Sequence, residues 1–146
     1  MKNVLVLLFL LSSSLISFTQ NSINENMHLE PCPNSPNCVS TQATKKSKLM
    51  KPLLFSDQAS VATLRLEKLL ENQPEAKLVK NEGNYLHYEF TTKIGKFIDD
   101  VEFLIKEETG EIHFRSASRK GYGDFGKNKR RMKKIQNEWT KLALPS

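Results

Sequence analysis

The sequence predicts an α+β domain in which about four mostly antiparallel strands form a sheet that carries two helices on one face. Apolar and polar residues largely alternate within the segments 85–92, 97–106 and 111–118, and this period is typical of strands with one buried face. On either side, at 56–72 and 128–144, apolar residues recur every three or four positions, as on an amphipathic helix.

Residues 1–20 are predicted to be a secretory signal. Lys2 precedes an apolar run at 4–11, and small polar residues follow it. The run is too short to span a bilayer, although an uncleaved anchor or a buried helix is the alternative interpretation. We expect export to the periplasm or the medium, a flexible lead-in at 21–30, and a single domain over 31–144, with no transmembrane segment after cleavage.

Cys32 and Cys38 flank a turn rich in proline and asparagine. In an exported chain, an even number of closely spaced cysteines favours a disulfide. Free thiols, or a metal site that includes His28, are the alternatives. Because the spacing matches no common zinc pattern and a fourth ligand is not evident, we expect neither a metal nor another cofactor.

The first helix is expected to begin at a cap formed by Ser56 or Asp57 and to end before Pro74. A short strand at 77–80 follows. The apolar face of the helix comprises Ala62, Leu66, Leu69 and Leu70.

Three strands are then predicted at 85–92, 97–106 and 111–118, joined by short turns that contain glycine. The last helix, over 128–144, presents an apolar stripe to the sheet. This stripe comprises Met132, Ile135, Trp139 and Leu142.

The register of the strands follows from their turns, because a slip by one residue would exchange the two faces. Pairing Thr92 with Phe97, and Lys106 with Glu111, keeps apolar residues opposite one another. The same register gathers ionisable residues into two neighbouring rows on the other face. The first row comprises His87, Glu102 and Arg115, and the second comprises Glu89 and Asp100.

Two interpretations of these rows are open. They can be the solvated face of an antiparallel sheet, with weak cross-strand charge pairs. They can also form a polar pocket in which Glu102 and Asp100 hold Arg115 while His87 or Glu89 serves as an acid or base. The burial of Glu102 distinguishes the two.

Segment 115–131 combines basic, hydroxyl and glycine residues at a strand-to-helix junction, where backbone donors can converge on an anion. Cations at a helix N-terminus are unfavourable unless an anion offsets them. The expected ligand-binding residues are Arg115, Ser118, Arg119, Lys129 and Arg131, with Asp124 and Asn128 shaping the loop. The alternative is a structural clamp that holds the last helix to the sheet.

Three segments resemble the family known as domain of unknown function 1499. They are CPNSPNCVS at 32–40, DDVEF at 99–103, and RSASRxGYxDxGxN at 115–128, which a basic triplet follows. The resemblance spans roughly 30–142 and implies an envelope or lumenal protein of bacteria and plastids, without an established activity. Lys129 stands where the family motif has arginine, and lysine cannot make a bidentate contact.

The chain carries 22 Lys and Arg against 16 Asp and Glu, a net charge of +6. Such a charge suits acidic polymers or membrane surfaces, and export disfavours nucleic acid. The glycine pattern lacks the nucleotide-binding fingerprints. We therefore expect a non-catalytic exported binding module for an anionic small molecule, an envelope group or a protein carboxylate.

Two other function classes remain open. A hydrolase-like enzyme would use His87 with Glu102 or with a serine of the motif, but the register places Ser116 and Ser118 on the face opposite His87. A structural protein-interaction domain would expose a large apolar patch or form oligomers. The oligomeric state does not follow from the sequence.

Overall fold

A computed structural model describes residues 28–143 of the chain. The signal predicted at 1–20 and most of the lead-in lie outside this range, and Leu29 is buried. In chain order the elements are β1 (Cys38–Ser40), β2 (Leu53–Leu54), α1 (Ala59–Glu71), β3 (Ala76–Asn81), β4 (Tyr85–Thr91), β5 (Ile98–Lys106), β6 (Glu111–Ser118) and α2 (Lys127–Ala143). Neither described helix is long and apolar enough to cross a membrane.

The α+β class is confirmed, with six strands rather than about four. The sheet order is β1-β6-β5-β4-β3, and β2 also pairs with β6. Both additional strands lie along the outer edge of β6, where Val39 is opposite Ser116 and Leu53 is opposite Ile112. Strands this short carry no alternation long enough to recognise in a sequence.

The predicted register is confirmed for the three long strands. Leu86 lies opposite Phe103, and Glu102 lies opposite Arg115. Every pairing between named strands is antiparallel. The apolar and ionisable faces of the sheet therefore lie as the alternation indicates.

Both helices pack on the apolar face of the sheet. The helical residues of this core are Ala62, Leu66, Leu69, Leu70, Met132, Ile135 and Trp139. Leu142 does not continue the stripe of α2 and is 54% exposed.

The start of α1 differs from the expectation that Ser56 or Asp57 caps it. The helix begins at Ala59, and its N-cap residue Gln58 makes no side-chain cap bond. The carboxylate of Asp57 instead pairs with Arg65, whose guanidinium lies 5.2 Å from the ring centroid of Trp139. A pocket of about 280 Å³ adjoins this pair, at the end of the sheet away from residues 115–131.

The disulfide between Cys32 and Cys38 is confirmed, with their Cα atoms 5.7 Å apart. It leaves neither thiolate for the alternative metal site. Closing so small a loop stabilises the fold by about 2 kcal/mol in the chain-entropy model. The Lys48 ammonium supports the loop from inside, since it donates to the carbonyls of Ser35, at 2.6 Å, and of Pro33.

Candidate functional site

The ionisable face of the sheet is a half-buried network. Arg115 Nη1 donates to Glu102 Oε2 at 2.8 Å, and the Tyr85 hydroxyl donates to the other carboxylate oxygen at 2.8 Å. Glu102 is 9% exposed, which is too little for a freely solvated face. Burial, together with the hydrogen bond to Glu102, raises the pKa of Tyr85 above its ordinary value.

The second row is organised around Asp100. Its carboxylate accepts two hydrogen bonds from Arg119, both at 2.8 Å, and lies 2.7 Å from His87 Nε2. Arg119 also donates to Glu89 at 2.5 Å. Arg119 can reach back over the sheet because the residue opposite Asp100 is the small Ala117.

This arrangement corrects the expectation that Glu102 and Asp100 together hold Arg115. Asp100 is bound by Arg119 and His87, and within residues 28–143 Arg115 pairs only with Glu102. Arg115 Nε is buried and has no hydrogen-bond partner among those residues. Burial alone would raise the pKa of Asp100, but the hydrogen bonds from Arg119 and His87 outweigh it and bring the pKa below its ordinary value.

Replacing Asp100 by asparagine should make stability less sensitive to acid. A carboxyl group whose folded pKa is depressed stabilises the protein above its unfolded pKa of about 4, and that contribution is lost as the pH falls through the folded pKa. Asp100→Asn should therefore cost about 1 kcal/mol near neutral pH, and its difference from wild type should shrink on acidification. Urea midpoints across this range measure it.

Glu108→Gln is the matched control, since Glu108 is exposed in the turn after β5 and has no ion-pair partner among the described residues. This variant should follow the wild-type pH profile. A difference between Asp100→Asn and wild type that stays constant down to about pH 2 would contradict the assigned pKa direction.

On the apolar face, a buried ion pair joins β5 to α2. Arg131 Nη2 donates to Asp99 Oδ2 at 2.5 Å, and their side chains are 10% and 3% exposed. The guanidinium also lies 4.7 Å from the ring centroid of Phe90. Arg131 therefore attaches the helix to the sheet.

Asn128 is fully buried beside this pair. Its amide oxygen accepts from Ser116 Oγ at 2.6 Å and from Arg131 at 2.8 Å. Its amide nitrogen has acceptors on three segments of the chain. These are the Asn37 carbonyl at 3.1 Å, Ser118 Oγ at 3.0 Å and Asp124 Oδ2 at 2.8 Å.

Asp124 caps α2. Its carboxylate accepts from the backbone nitrogens of Gly126, at 2.9 Å, and Asn128, at 2.7 Å. Burial opposes ionisation, but these hydrogen bonds dominate and lower the pKa of Asp124. The loop is also tied to the disulfide segment, since Asn37 Nδ2 donates to the Gly121 carbonyl at 2.6 Å.

The cations around the loop differ from the arginines of the network. Arg115, Arg119 and Arg131 all bind carboxylates. Within residues 28–143, by contrast, no carboxylate pairs with the cations of the loop and the first turn of α2, which also holds no acidic residue. These cations are Lys120, Lys127, Lys129 and Arg130.

The structure thus separates the predicted site residues into three groups. Arg115 and Arg119 belong to the ionisable face together with His87 and Glu102. The buried junction contains Ser118, Asp124, Asn128 and Arg131. Lys129 is exposed on α2 and has no side-chain partner among the described residues.

Two exposed aromatic residues of the loop, Tyr122 and Phe125, were missed in the sequence. The sequence nevertheless indicates that these two residues are exposed, because aromatic side chains in a glycine-rich loop have no core in which to pack. Phe125 also adopts a left-handed backbone conformation, with φ of 52°, which is uncommon for a bulky residue.

The serines of the motif are remote from the histidine of the ionisable face. The Ser116 hydroxyl is buried on the apolar side and donates to Asn128, whereas His87 contacts Asp100 on the other side. In the part of the chain that the structure describes, no group of His, Cys, Asp and Glu side chains could hold a metal ion.

A family model described as "Protein of unknown function (DUF1499)" matches residues 28–138. Comparison with curated proteins and with solved structures gives no significant match. The matched region extends from the disulfide segment through most of α2, and so includes the ionisable face and the buried junction. On this match over most of its length, the chain belongs to the DUF1499 family.

Proposed function

We propose that this domain is an exported, non-catalytic binding module for an anionic partner. Its contact surface is the β6–α2 loop together with the exposed side of the first turns of α2. The observation that carries this proposal is a contrast between two sets of cations. Carboxylates neutralise Arg115, Arg119 and Arg131, whereas the loop cations have no such partner in the described residues.

The position of these cations supports an anionic partner. Lys127, Lys129 and Arg130 occupy the first turn of α2, where the helix dipole is positive and cations are unfavourable. Asp124 offsets only part of this charge, because its carboxylate supplies one negative charge against the three cations of this turn. An external anion would relieve the remaining repulsion.

The residues that we propose to contact the anion differ from those that the sequence favours. Arg115, Arg119 and Arg131 hold the sheet and the helix in place, and an anion would have to displace a carboxylate to reach them. Lys129 stays in the contact set, and its neighbours Lys120, Lys127 and Arg130 join it.

The hydrolase alternative has less support. A serine nucleophile needs a base within hydrogen-bond reach, but Ser116 and His87 lie on opposite faces of the sheet. His87 and Asp100, 2.7 Å apart, have the geometry of an acid–base pair. However, Arg119 binds the same carboxylate and stabilises its ionised form.

Calorimetry against a soluble polyanion, polyglutamate, tests the proposal. We expect salt-sensitive binding to wild type and binding weakened roughly fivefold or more in a Lys129→Ala/Arg130→Ala variant, since an exposed ion pair contributes up to about 1 kcal/mol. The matched control is Lys141→Ala, an exposed lysine in the last turn of the same helix.

An unchanged affinity in the double variant would overturn the assigned surface. Equal weakening by Lys141→Ala would point to net charge alone. Absence of polyglutamate binding by wild type at low salt would count against the binding-module proposal itself.

A further inference from the structure

We infer that the anionic partner is the surface of a lipid bilayer, and that two adjacent loops dock on it by inserting apolar side chains between anionic headgroups. The inference deepens the proposed function and rests on it. The loops are the β4–β5 turn at 92–97 and the β6–α2 loop at 119–126, which together we call the docking end.

Both loops leave the same end of the sheet. Thr91 and Ile98 form the last pair of β4 and β5, and Thr92 N donates to Phe97 O at 2.9 Å to close the turn. The other loop starts beside this turn, because Arg119 N donates to Ile98 O at 3.1 Å. The two loops therefore face the same direction.

The tips of both loops carry large apolar side chains that contact little of the protein. Ile94 is 91% exposed and Phe125 is 97% exposed. Tyr122, at 78%, and Phe97, at 57%, accompany them. Large apolar side chains concentrated at one end of a small domain indicate an interaction site.

The docking end is also strongly cationic. Its only carboxylate within 92–97 and 119–130 is Asp124, and the loop itself uses that group. Apart from Arg119, whose charge Glu89 and Asp100 balance, the exposed or partly exposed cations of the docking end and of the first turn of α2 that follows it are Lys93, Lys96, Lys120, Lys127, Lys129 and Arg130. Cations that surround apolar tips complement a surface that is anionic outside and apolar within.

The geometry of the β6–α2 loop holds Phe125 outward. Its backbone has φ of 52°, followed by Gly126 at 73°, and its carbonyl accepts from Arg130 Nη1 at 2.6 Å. A strained position of this kind persists only where the surrounding structure enforces it. Here the hydrogen bonds that Asp124 accepts from the backbone nitrogens of Gly126 and Asn128 provide that structure.

A bilayer fits this arrangement better than a protein partner does. The four apolar side chains belong to two separate loops, two on each, with lysines beside them in the chain, whereas a protein interface has a contiguous packed core. Aromatic residues beside lysines suit the headgroup boundary, where rings sit at the interface and ammonium groups remain in water.

The test places a tryptophan reporter at the docking end of the full chain. Phe125→Trp is mixed with vesicles of roughly three parts phosphatidylcholine to one part phosphatidylglycerol, part of which carries brominated acyl chains. We expect a blue shift and bromine quenching beyond that of wild type, whose Trp139 is buried.

The matched control is Leu142→Trp, an exposed position near the other end of α2 and about 20 Å away along the helix. This reporter should remain unquenched, so it separates docking by the loops from binding by any other part of the chain. A companion variant, Tyr122→Ser/Phe125→Ser, should lower the vesicle partition coefficient about tenfold or more.

Equal quenching at positions 125 and 142, or no quenching at 125, would overturn the bilayer inference. So would equal quenching in pure phosphatidylcholine. If polyglutamate still binds in these cases, the proposed anion-binding module is retained and only the assignment of a bilayer as its partner is wrong. If wild type forms dimers, the double serine variant is monomeric, and no vesicle quenching occurs, then the docking end is a contact surface for a second copy of the chain.

Discussion

Arg131→Ala should lower the free energy of unfolding by roughly 3 to 5 kcal/mol, because it leaves the Asp99 carboxylate buried without a cation. The Asp99 side chain is 3% exposed, so little solvent reaches this carboxylate in the folded protein. The same change removes the hydrogen bond to Asn128 and the contact with the Phe90 ring. Urea denaturation followed by circular dichroism measures the loss.

Two further variants make this test specific. Lys133→Ala, at an exposed position of the same helix, should lie within about 0.5 kcal/mol of wild type. Adding Asp99→Asn to Arg131→Ala removes the buried charge, so the double variant should be more stable than the sum of the single effects predicts. A loss below about 1 kcal/mol for Arg131→Ala would contradict the buried pair.

Asn128→Ala should cost about 3 kcal/mol, since it removes several buried hydrogen bonds at once and leaves the Ser116 hydroxyl without its acceptor. The Ser116 hydroxyl loses its acceptor, and the Asn37 carbonyl loses a donor. Amide hydrogen exchange in the β6–α2 loop should also become faster, because Asn128 connects this loop to the sheet and to the disulfide segment.

Asn137→Ala is the control, at an exposed position of α2 without a side-chain hydrogen bond among the described residues. Asn128→Asp has nearly the native shape but loses the amide donors and adds a charge beside Asp124. It should therefore destabilise at least as much as Asn128→Ala. If Asn128→Asp equals wild type in stability, then shape rather than hydrogen bonding explains the role of Asn128.

The strand register was predictable because a strand with one buried face tolerates no slip. The register was determined by the glycine turn before Glu111 and by the alternation of apolar and polar residues around Phe103. In contrast, β1 and β2 are two or three residues long and exist because the edge of β6 supplies their partners. Such strands depend on long-range contacts that a local pattern does not contain.

Within the candidate site, cross-strand neighbours were easier to predict than contacts between strand and helix. The Glu102–Arg115 pair follows directly from register. The Asp99–Arg131 pair does not, although Asp99 stands on the apolar face of β5, where a carboxylate must find a buried partner. The contact of Arg119 with Asp100 does not follow from register either, since it depends on the space above the small Ala117.

The hydrogen bond from Asn128 to the Asn37 carbonyl spans 91 residues of chain, and the bond from Asn37 to Gly121 spans 84. Contacts of such sequence separation form late in folding, after the entropy of closing the intervening chain has been overcome. The disulfide segment closes on itself, so it can form early, before α2 packs on the sheet. A chain truncated before α2 would therefore keep the covalent loop but could not order the β6–α2 loop, because that loop depends on contacts from both extremities of the domain.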